Sequence, residues 1–323
     1  MWPEVSCGCR HFQAVTEAAA LAAAQWLGRG DGVAADLAAQ AAMAEALSQV
    51  SVKTRVVATK GSGGPGALRA GQEWGDAGEG WDIVTLPLEG REPLARGAEG
   101  ALSMLAAGPL GSLLAVPEMY MEKIMTGGSI KGSLDLDAPV GKNLRNLAIA
   151  LNRPTQELVV AVLDRPRHER LCAEIREAGA RLRLIPDGDI SAGLAAAVKD
   201  AGVDICIGIG GSIEAVIAAA ALRGLGGHIQ ARFWPVSRRQ VEELQSFGLA
   251  DFEAKLSTTD LVGEGVVFVA TAVTGGRFLR GVERRSEGVC TETLVICSRC
   301  KAVRTVRTLH RNEDGAGVHL TLR

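Results

Sequence analysis

Apolar residues change rhythm three times along the chain, and each rhythm predicts a different kind of element. Residues 12–28 (FQAVTEAAALAAAQWLG) and 32–49 (GVAADLAAQAAMAEALSQ) consist largely of the strong helix formers Ala, Leu, Gln and Met. Gly28-Arg29-Gly30-Asp31 splits them into two helices. Short apolar runs over 54–58 and 82–86, the second entered from Trp81, predict strands. The loop 60–66 between them holds four Gly and one Pro. Residues 101–116 predict two more short strands, parted by Gly108-Pro109-Leu110-Gly111. Further on, strands over 158–163, 181–185 and 204–209 alternate with helices over 168–178, 190–199 and 213–223. That alternation indicates βαβ units around a parallel sheet. Beyond residue 260, Val/Thr/Phe-rich runs with Gly-Gly turns predict an antiparallel meander.

The expected class is α/β, in three parts. Residues 1–150 form an N-terminal α+β domain, residues 151–245 a βαβαβα domain, and residues 246–323 a β-rich part free to return to the first. Thirty-five basic and 37 acidic side chains leave a net charge of −2, which gives no electrostatic footprint for nucleic acid. No stretch approaches the roughly 18 uninterrupted apolar residues of a membrane span. The first 30 residues lack a basic n-region and Glu17 interrupts their apolar run, so a signal peptide is not expected and a cytoplasmic protein is. Seven cysteines, an odd number, argue against a secreted disulfide framework. Cys7 and Cys9, with Cys297 and Cys300, would make a tetrathiolate zinc site only if the two ends of the chain met. Without a second CxxC or spaced histidines, free thiols are the expected state.

Candidate chemistry collects at strand ends. IGIGGSIE (207–214) leaves a strand and opens a helix, where glycines let backbone N–H groups approach an anion. The spacing departs from G-x-G-x-x-G at Ile213, and no acid follows about 20 positions later, so a dinucleotide is excluded. Glu214 is either a metal ligand or a carboxylate suited to the helix dipole. Asp187-Gly188-Asp189 ends another strand; Asp189 reads as an N-cap, and the pair together as a grip on sugar hydroxyls. Arg165 and Arg167 follow a third strand, as phosphate forks or as a solvated surface. Tyr120, the one tyrosine, is either a core edge or a specific hydroxyl donor. The combination describes a site for a phosphorylated sugar.

VTEAAALAAAQWLGRGD (15–31), PLEG (87–90), MYMEK (119–123), DRPRHE (164–169), IPDGD (185–189), GIGGSIEAV (208–216) and TETL (291–294) resemble, in this order, the class II fructose-1,6-bisphosphatases. The resemblance implies the layered αβαβα fold of lithium-sensitive sugar phosphatases. It also implies a manganese or magnesium cofactor, removal of the 1-phosphate from fructose 1,6-bisphosphate, and a homo-oligomer. Its metal carboxylates match Asp36, Glu89 and Glu214, with Glu89 and Glu214 catalytic. Its substrate contacts match Glu89, Gly90, Tyr120, Arg165, Arg167, Asp187, Asp189 and Gly211, to which Arg91 and Gly188 are added by position.

The departures concern the metal. The family's Gly-Glu-Gly-Glu is Ala58-Thr59-Lys60-Gly61 here, and its Asp-Pro-Leu-Glu-Gly-Thr is Leu86-Pro87-Leu88-Glu89-Gly90-Arg91. Thr59 and Leu86 thus stand where carboxylates are expected. Losing ~4–6 kcal/mol of transition-state stabilisation this way would slow hydrolysis roughly 10³–10⁴-fold. Glu73, Asp76, Glu79 and Glu92 are the nearest acids that could substitute. Lys60 and Arg91 either supply positive charge where a metal sat or face solvent. Two functions follow: a phosphatase of reduced activity, or a non-catalytic sugar-phosphate-binding homologue with a regulatory or partner role.

Overall fold

The computed structural model describes residues 7–64, 66–75, 78–128 and 134–311; of the positions named above, Asp76 and one residue of the 60–66 loop lie outside them. Helices α1 (Gln13–Ala24) and α2 (Gly32–Ser48) form where the alanine-rich runs predict them. Asp31 caps α2, its carboxylate accepting from the Ala34 N–H at 2.9 Å. Helix α1 stops four residues early because Trp26 and Leu27 turn to i−3 carbonyls and tighten the last turn.

Among the described residues the first sheet holds eight strands: β1 (Thr54–Thr59), β2 (Glu73–Trp74), β3 (Trp81–Glu89), β4 (Leu102–Pro109), β11 (Val267–Ala272), β12 (Glu283–Arg285), β13 (Gly288–Cys297) and β14 (Val303–Arg311). Their order is β12-β13-β11-β4-β3-β1-β2, with β14 paired to β13. The C-terminal strands therefore enter the N-terminal sheet through β11, which lies between β4 and β13. The second sheet runs β10 (Leu256–Ser257), β9 (His228–Phe233), β5 (Tyr120–Thr126), β8 (Ile205–Gly211), β6 (Val159–Leu163) and β7 (Arg181–Ile185). Its β6–β7 and β6–β8 pairs are parallel, as the βαβ pattern predicts, while β5 is antiparallel to both β8 and β9.

The helices complete five layers. Helices α1 and α2 cover one face of the first sheet through Phe12, Val15, Ala19, Ala35, Met43 and Ile83. Helices α6 (Asp189–Ala197) and α7 (Ser212–Leu225) lie between the sheets. Helices α4 (Val140–Leu151) and α5 (Glu169–Glu177) cover the far face of the second sheet through Leu144, Leu147, Cys172 and Ile175. Each sheet alternates its side chains between two cores: Leu105 and Val269 point to α1, Met104 and Phe268 to α7. The order is αβαβα. Helix α7 is buried from Ser212 through Leu222 and packs against strands of both sheets. Only small side chains let two sheets approach one helix so closely, which explains Ala215, Ala218, Ala219, Ala220 and Ala221.

Glu17, which breaks the apolar run of α1, is buried and useful: its Oε1 accepts from Gln13, Thr291, Thr293 and Thr308 and ties α1 to β13 and β14. Three expectations need correction. Residues 101–116 give one strand, β4, which runs through Gly108 to Pro109; beyond it only a bridge from Leu113 to Val262 forms. Gly108 is there for close approach, since a Cβ would lie 2.2 Å from Ser112 Oγ. Asp189 does not cap α6; Gly188, at φ +84°, does, and Asp189 opens the first turn. Strands β5 and β9 and helices α4 and α8 (Arg238–Ser246) form where no element is predicted. Among the described residues no helix is long and apolar enough to cross a membrane.

Overpacking the middle layer is expected to be costly. Ala218→Leu should lower stability by about 1–3 kcal/mol, read as a fall in the urea midpoint at unchanged slope.

Candidate active site

Residues 120–211 of the second sheet and 54–89 of the first bring their chemistry to one end of the sandwich. Glu89 closes β3, Asp187 follows β7, Gly211 closes β8, Arg165 and Arg167 follow β6, and Tyr120 begins the antiparallel β5. Such carboxyl ends are where open α/β sheets place ligands. A cleft of about 1210 Å³ at the opposite end is lined by Trp81, Leu110, Thr126, His228 and Arg299 and shares no residue with this cluster.

The glycines of IGIGGSIE do a different task from the one their spacing suggests. A Cβ on Gly210 would lie 2.0 Å from Asp189 Oδ2 and 2.7 Å from Lys123 Nζ. The missing side chain makes room for a buried ion pair between Lys123 on β5 and Asp189 on α6. Lys123 also donates to the Gly211 carbonyl at 3.1 Å, so it ties β5, β8 and α6 together. A Cβ on Gly211 would overlap Glu214 Oε2 at 2.0 Å, and one on Gly208 would meet His168 Nε2 at 3.0 Å. Each glycine clears space for one functional side chain. Gly90, at φ +77°, turns the chain from β3 into α3 (Arg91–Ala95), where a Cβ would press on Ala101 Cα at 3.0 Å.

Acids dominate the centre. Burial first, then the carboxylates of Asp187, Asp189 and Glu214, push the Glu89 carboxyl well above its ordinary range. Burial likewise raises Asp187. Glu89 Oε2 and Glu214 Oε2 are buried with no hydrogen-bond partner. Two orphaned carboxylate oxygens in a concentration of negative charge fit a hard divalent cation, which these same two residues would hold. They fit fewer ions than the family pattern implies. Asp36, on α2, is buried, and its Oδ2 accepts from Ser62 N and Ser62 Oγ, both at 2.6 Å, and from Gln40 at 3.2 Å. Among the described residues the carboxylate oxygens of Asp36, Glu89 and Glu214 do not all lie within 4.8 Å of one another. Thr59 hydrogen-bonds Thr85 at 2.8 Å, and Leu86 is packed into the middle core. Of the acids named above as substitutes, the described ones lie elsewhere. Glu73 pairs with Lys53, exposed Glu92 with Arg96, and Glu79 lines the opposite cleft.

Cations stand where those acids are missing. Lys60, directly after β1, forms an ion pair with Glu214 Oε1. Burial would lower its ammonium, but Glu214 outweighs that, with Glu118 and Asp189 adding, and holds it above an ordinary lysine. Arg91, at the start of α3, is exposed and donates to Ser62 Oγ at 3.2 Å. Across the cluster Arg167 lies over the Tyr120 ring, 4.7 Å from its centroid, and donates to the Ile209 carbonyl at 2.9 Å. Tyr120 is 43% exposed, so it serves as a face for Arg167 rather than as core. Arg165 donates to the Asp164 carbonyl at 2.8 Å, and its charge acts on Asp187.

His168 and Lys123 were not singled out in the sequence, and both turn out to position the site. His168 Nδ1–H donates to the Leu163 carbonyl and Nε2 accepts from the Ile209 N–H, both at 2.8 Å. That tautomer clips the 165–168 turn to β8. Burial first, with Arg167 and Arg165 adding against Leu163 and Asp189, lowers its pKa below the ordinary 6.5. A lowered folded value means the clip contributes stability above pH 6.5, lost as pH falls through the lowered value. The melting temperature of the chain should therefore drop between pH 7 and 5 by more than that of His168→Gln, whose amide does not titrate.

A family model described as bacterial fructose-1,6-bisphosphatase, glpX-encoded, matches residues 9–310. The Haemophilus influenzae fructose-1,6-bisphosphatase class 2 is 37% identical over 319 residues, covering 94% of this chain and 96% of that protein. Fructose-1,6-bisphosphatase 1 class 2 of Escherichia coli K12 is 37% identical over 333 residues, covering 96% and 97%. The D-fructose 1,6-bisphosphatase class 2/sedoheptulose 1,7-bisphosphatase of Synechococcus sp. JA-3-3Ab is 38% identical over 336 residues, again covering 96% and 97%. With its motifs in order and its layers in place, the chain belongs to the class II, glpX-type bacterial fructose-1,6-bisphosphatase family.

Proposed function

We propose that this protein removes the 1-phosphate of fructose 1,6-bisphosphate with the help of one manganese or magnesium ion, as a cytoplasmic homo-oligomer. The observation that carries this reading is the pair of unpartnered buried oxygens on Glu89 and Glu214, next to a rim of Lys60, Arg91, Arg165 and Arg167. When bound there, a divalent cation supplies neutralising charge for the phosphoryl group and activation for the attacking water.

The chain's own residues do the rest. Arg165 and Arg167 match the forked geometry of a phosphate, and Tyr120 holds the Arg167 guanidinium in place from below. Asp187 and the backbone around Gly188 face the sugar hydroxyls at the β7 end. Asp189 keeps its Oδ2 on Lys123 and so fixes the start of α6 rather than the sugar. Lys60 and Arg91 add the positive charge that the missing carboxylates would have attracted as metal. They favour phosphate binding and slow the chemistry, because an ammonium activates no water. The Synechococcus relative's name adds sedoheptulose 1,7-bisphosphate, which shares the phosphorylated ketose end and is a second substrate to test.

Phosphate release from fructose 1,6-bisphosphate is expected to require manganese or magnesium, and to fall at least about 10²-fold in Glu214→Gln. Calorimetric binding of the sugar bisphosphate with no release above the variant would overturn hydrolysis in favour of a binding protein. Lys60→Ala should bind manganese more tightly, because Glu214 is then released from its ion pair, and bind the bisphosphate more weakly. Unchanged values for both would assign Lys60 to solvent.

A further inference from the structure

The four cysteines at the two chain ends meet. Cys7 and Cys9 lie before α1; Cys297 closes β13 and Cys300 sits in the turn to β14. Their four sulfurs lie within 4.8 Å of one another. Cys7 Sγ is 3.6 Å from Cys297 Sγ, and Cys9 Sγ is 3.9 Å from Cys300 Sγ. Four sulfurs set about 2.3 Å from one ion at tetrahedral corners would stand roughly 3.8 Å apart. The observed spread leaves room for one ion and none for the sulfides of an iron–sulfur cluster. We propose that Cys7, Cys9, Cys297 and Cys300 form a structural tetrathiolate zinc site that joins the N-terminal segment to the β13–β14 hairpin.

The surroundings are built for it. The Cys300 N–H points to Cys297 Sγ at 3.5 Å, and Lys301 takes φ +55°, which curls the hairpin tip so that both thiols face one point. Arg304 Nη1 and Nη2 lie 3.4 and 3.9 Å from the sulfurs of Cys9 and Cys300, which offsets the double negative charge of a zinc tetrathiolate. The other half is held without the ion. Gly8, between the two N-terminal cysteines, lies so close to Trp81 that a Cβ would be 2.4 Å from its ring. Phe12 packs edge-on to the same ring at 5.4 Å. With four protein ligands no position remains for water, so the site is structural and not catalytic. It also stands apart from the phosphatase chemistry. Cys297 pairs with Val267, Val267 with Ala107 and Ala107 with Ile83, near the Trp81 end of β3, whereas Glu89 closes the other end.

Full-length protein grown with zinc and purified under reducing conditions without chelator should contain one zinc per chain by mass spectrometry. Cys9→Ser and Cys300→Ser should each contain none, while Cys290→Ser, elsewhere on β13, keeps it. Should the serine variants fail to fold, cobalt exchanged into the wild type decides: thiolate-to-cobalt charge-transfer absorption with tetrahedral visible bands supports the site. Protein without zinc, zinc retained in both variants, cobalt lacking that spectrum, or peptide mapping of Cys7–Cys297 and Cys9–Cys300 disulfides in freshly reduced and repurified protein would each overturn it.

Discussion

The candidate site depends on one buried ion pair. Lys123 and Asp189 meet where water is nearly absent, with side chains 2% and 9% exposed, so neither charge is tolerable without the other. Removing one partner of such a pair costs about 3–5 kcal/mol, whereas the intact pair need contribute little net stability. Its value is positional. It fixes β5 against α6 and, through the Gly211 carbonyl, the end of β8 against both. Strand β5, which begins at Tyr120, helix α6, which follows Asp187, and strand β8, which leads into the helix of Glu214, therefore share one reference point, and the absence of a side chain at Gly210 is the condition for it.

How much of this is legible in the sequence depends on whether a residue's reason is local. Helices α1, α2, α5 and α7 and strands β1, β3, β6 and β7 follow from periodicity and caps, which act within a few residues. Strand β5 does not announce itself, because Lys123 and Glu122 interrupt its apolar pattern. Lys123 is buried only because Asp189, 66 positions later, neutralises it. The same holds for the glycines. Their spacing suggests anion contact by backbone N–H, yet Gly208, Gly210 and Gly211 are empty to admit His168, Asp189 and Glu214, two of them remote in sequence. Gly108-Pro109 looks like a turn between strands but is the end of one, since Ser112 folds back onto it. The site residues themselves were findable, since acids and arginines at strand ends have few other uses. Which of them also carry structural bonds, as Asp36 does to Ser62 and Asp189 to Lys123, only the tertiary contacts decide.

The exchange of charge in the site is more than a loss. Where the family pattern places acids around the metal, this chain has Thr59, Leu86, Lys60 and Arg91, and the new cations do not simply point to solvent. Lys60 is on Glu214, and Arg91 is on Ser62, whose other bonds hold Asp36. A carboxylate site would repel an anionic substrate, and positive charge placed beside it, as Lys60 is beside Glu214, reduces that repulsion. Glu89 keeps a buried oxygen without a partner, and its burial and the neighbouring carboxylates outweigh Lys60 and push its carboxyl well above the ordinary range.

The two ends of the sandwich divide the labour. At the Glu89 end the backbone is held by polar pairs that ligand chemistry can disturb: Lys60 with Glu214, Asp36 with Ser62, His168 with Ile209. At the Trp81 end the segment before α1 closes on the β13–β14 hairpin through Phe12, Trp81, Gly8 and four thiols, none of which the phosphatase chemistry uses. Strand β13 connects the two, because Thr293 lies in the buried threonine chain to Thr271 and Thr16 while Cys297 reaches the cysteine cluster. A cross-link between segments 290 positions apart restricts the unfolded chain, since loop-closure entropy grows with the length closed. Stability placed at the end remote from the ligand leaves the other end free to keep buried carboxylate oxygens without partners, which are unfavourable for folding and suited to holding a cation.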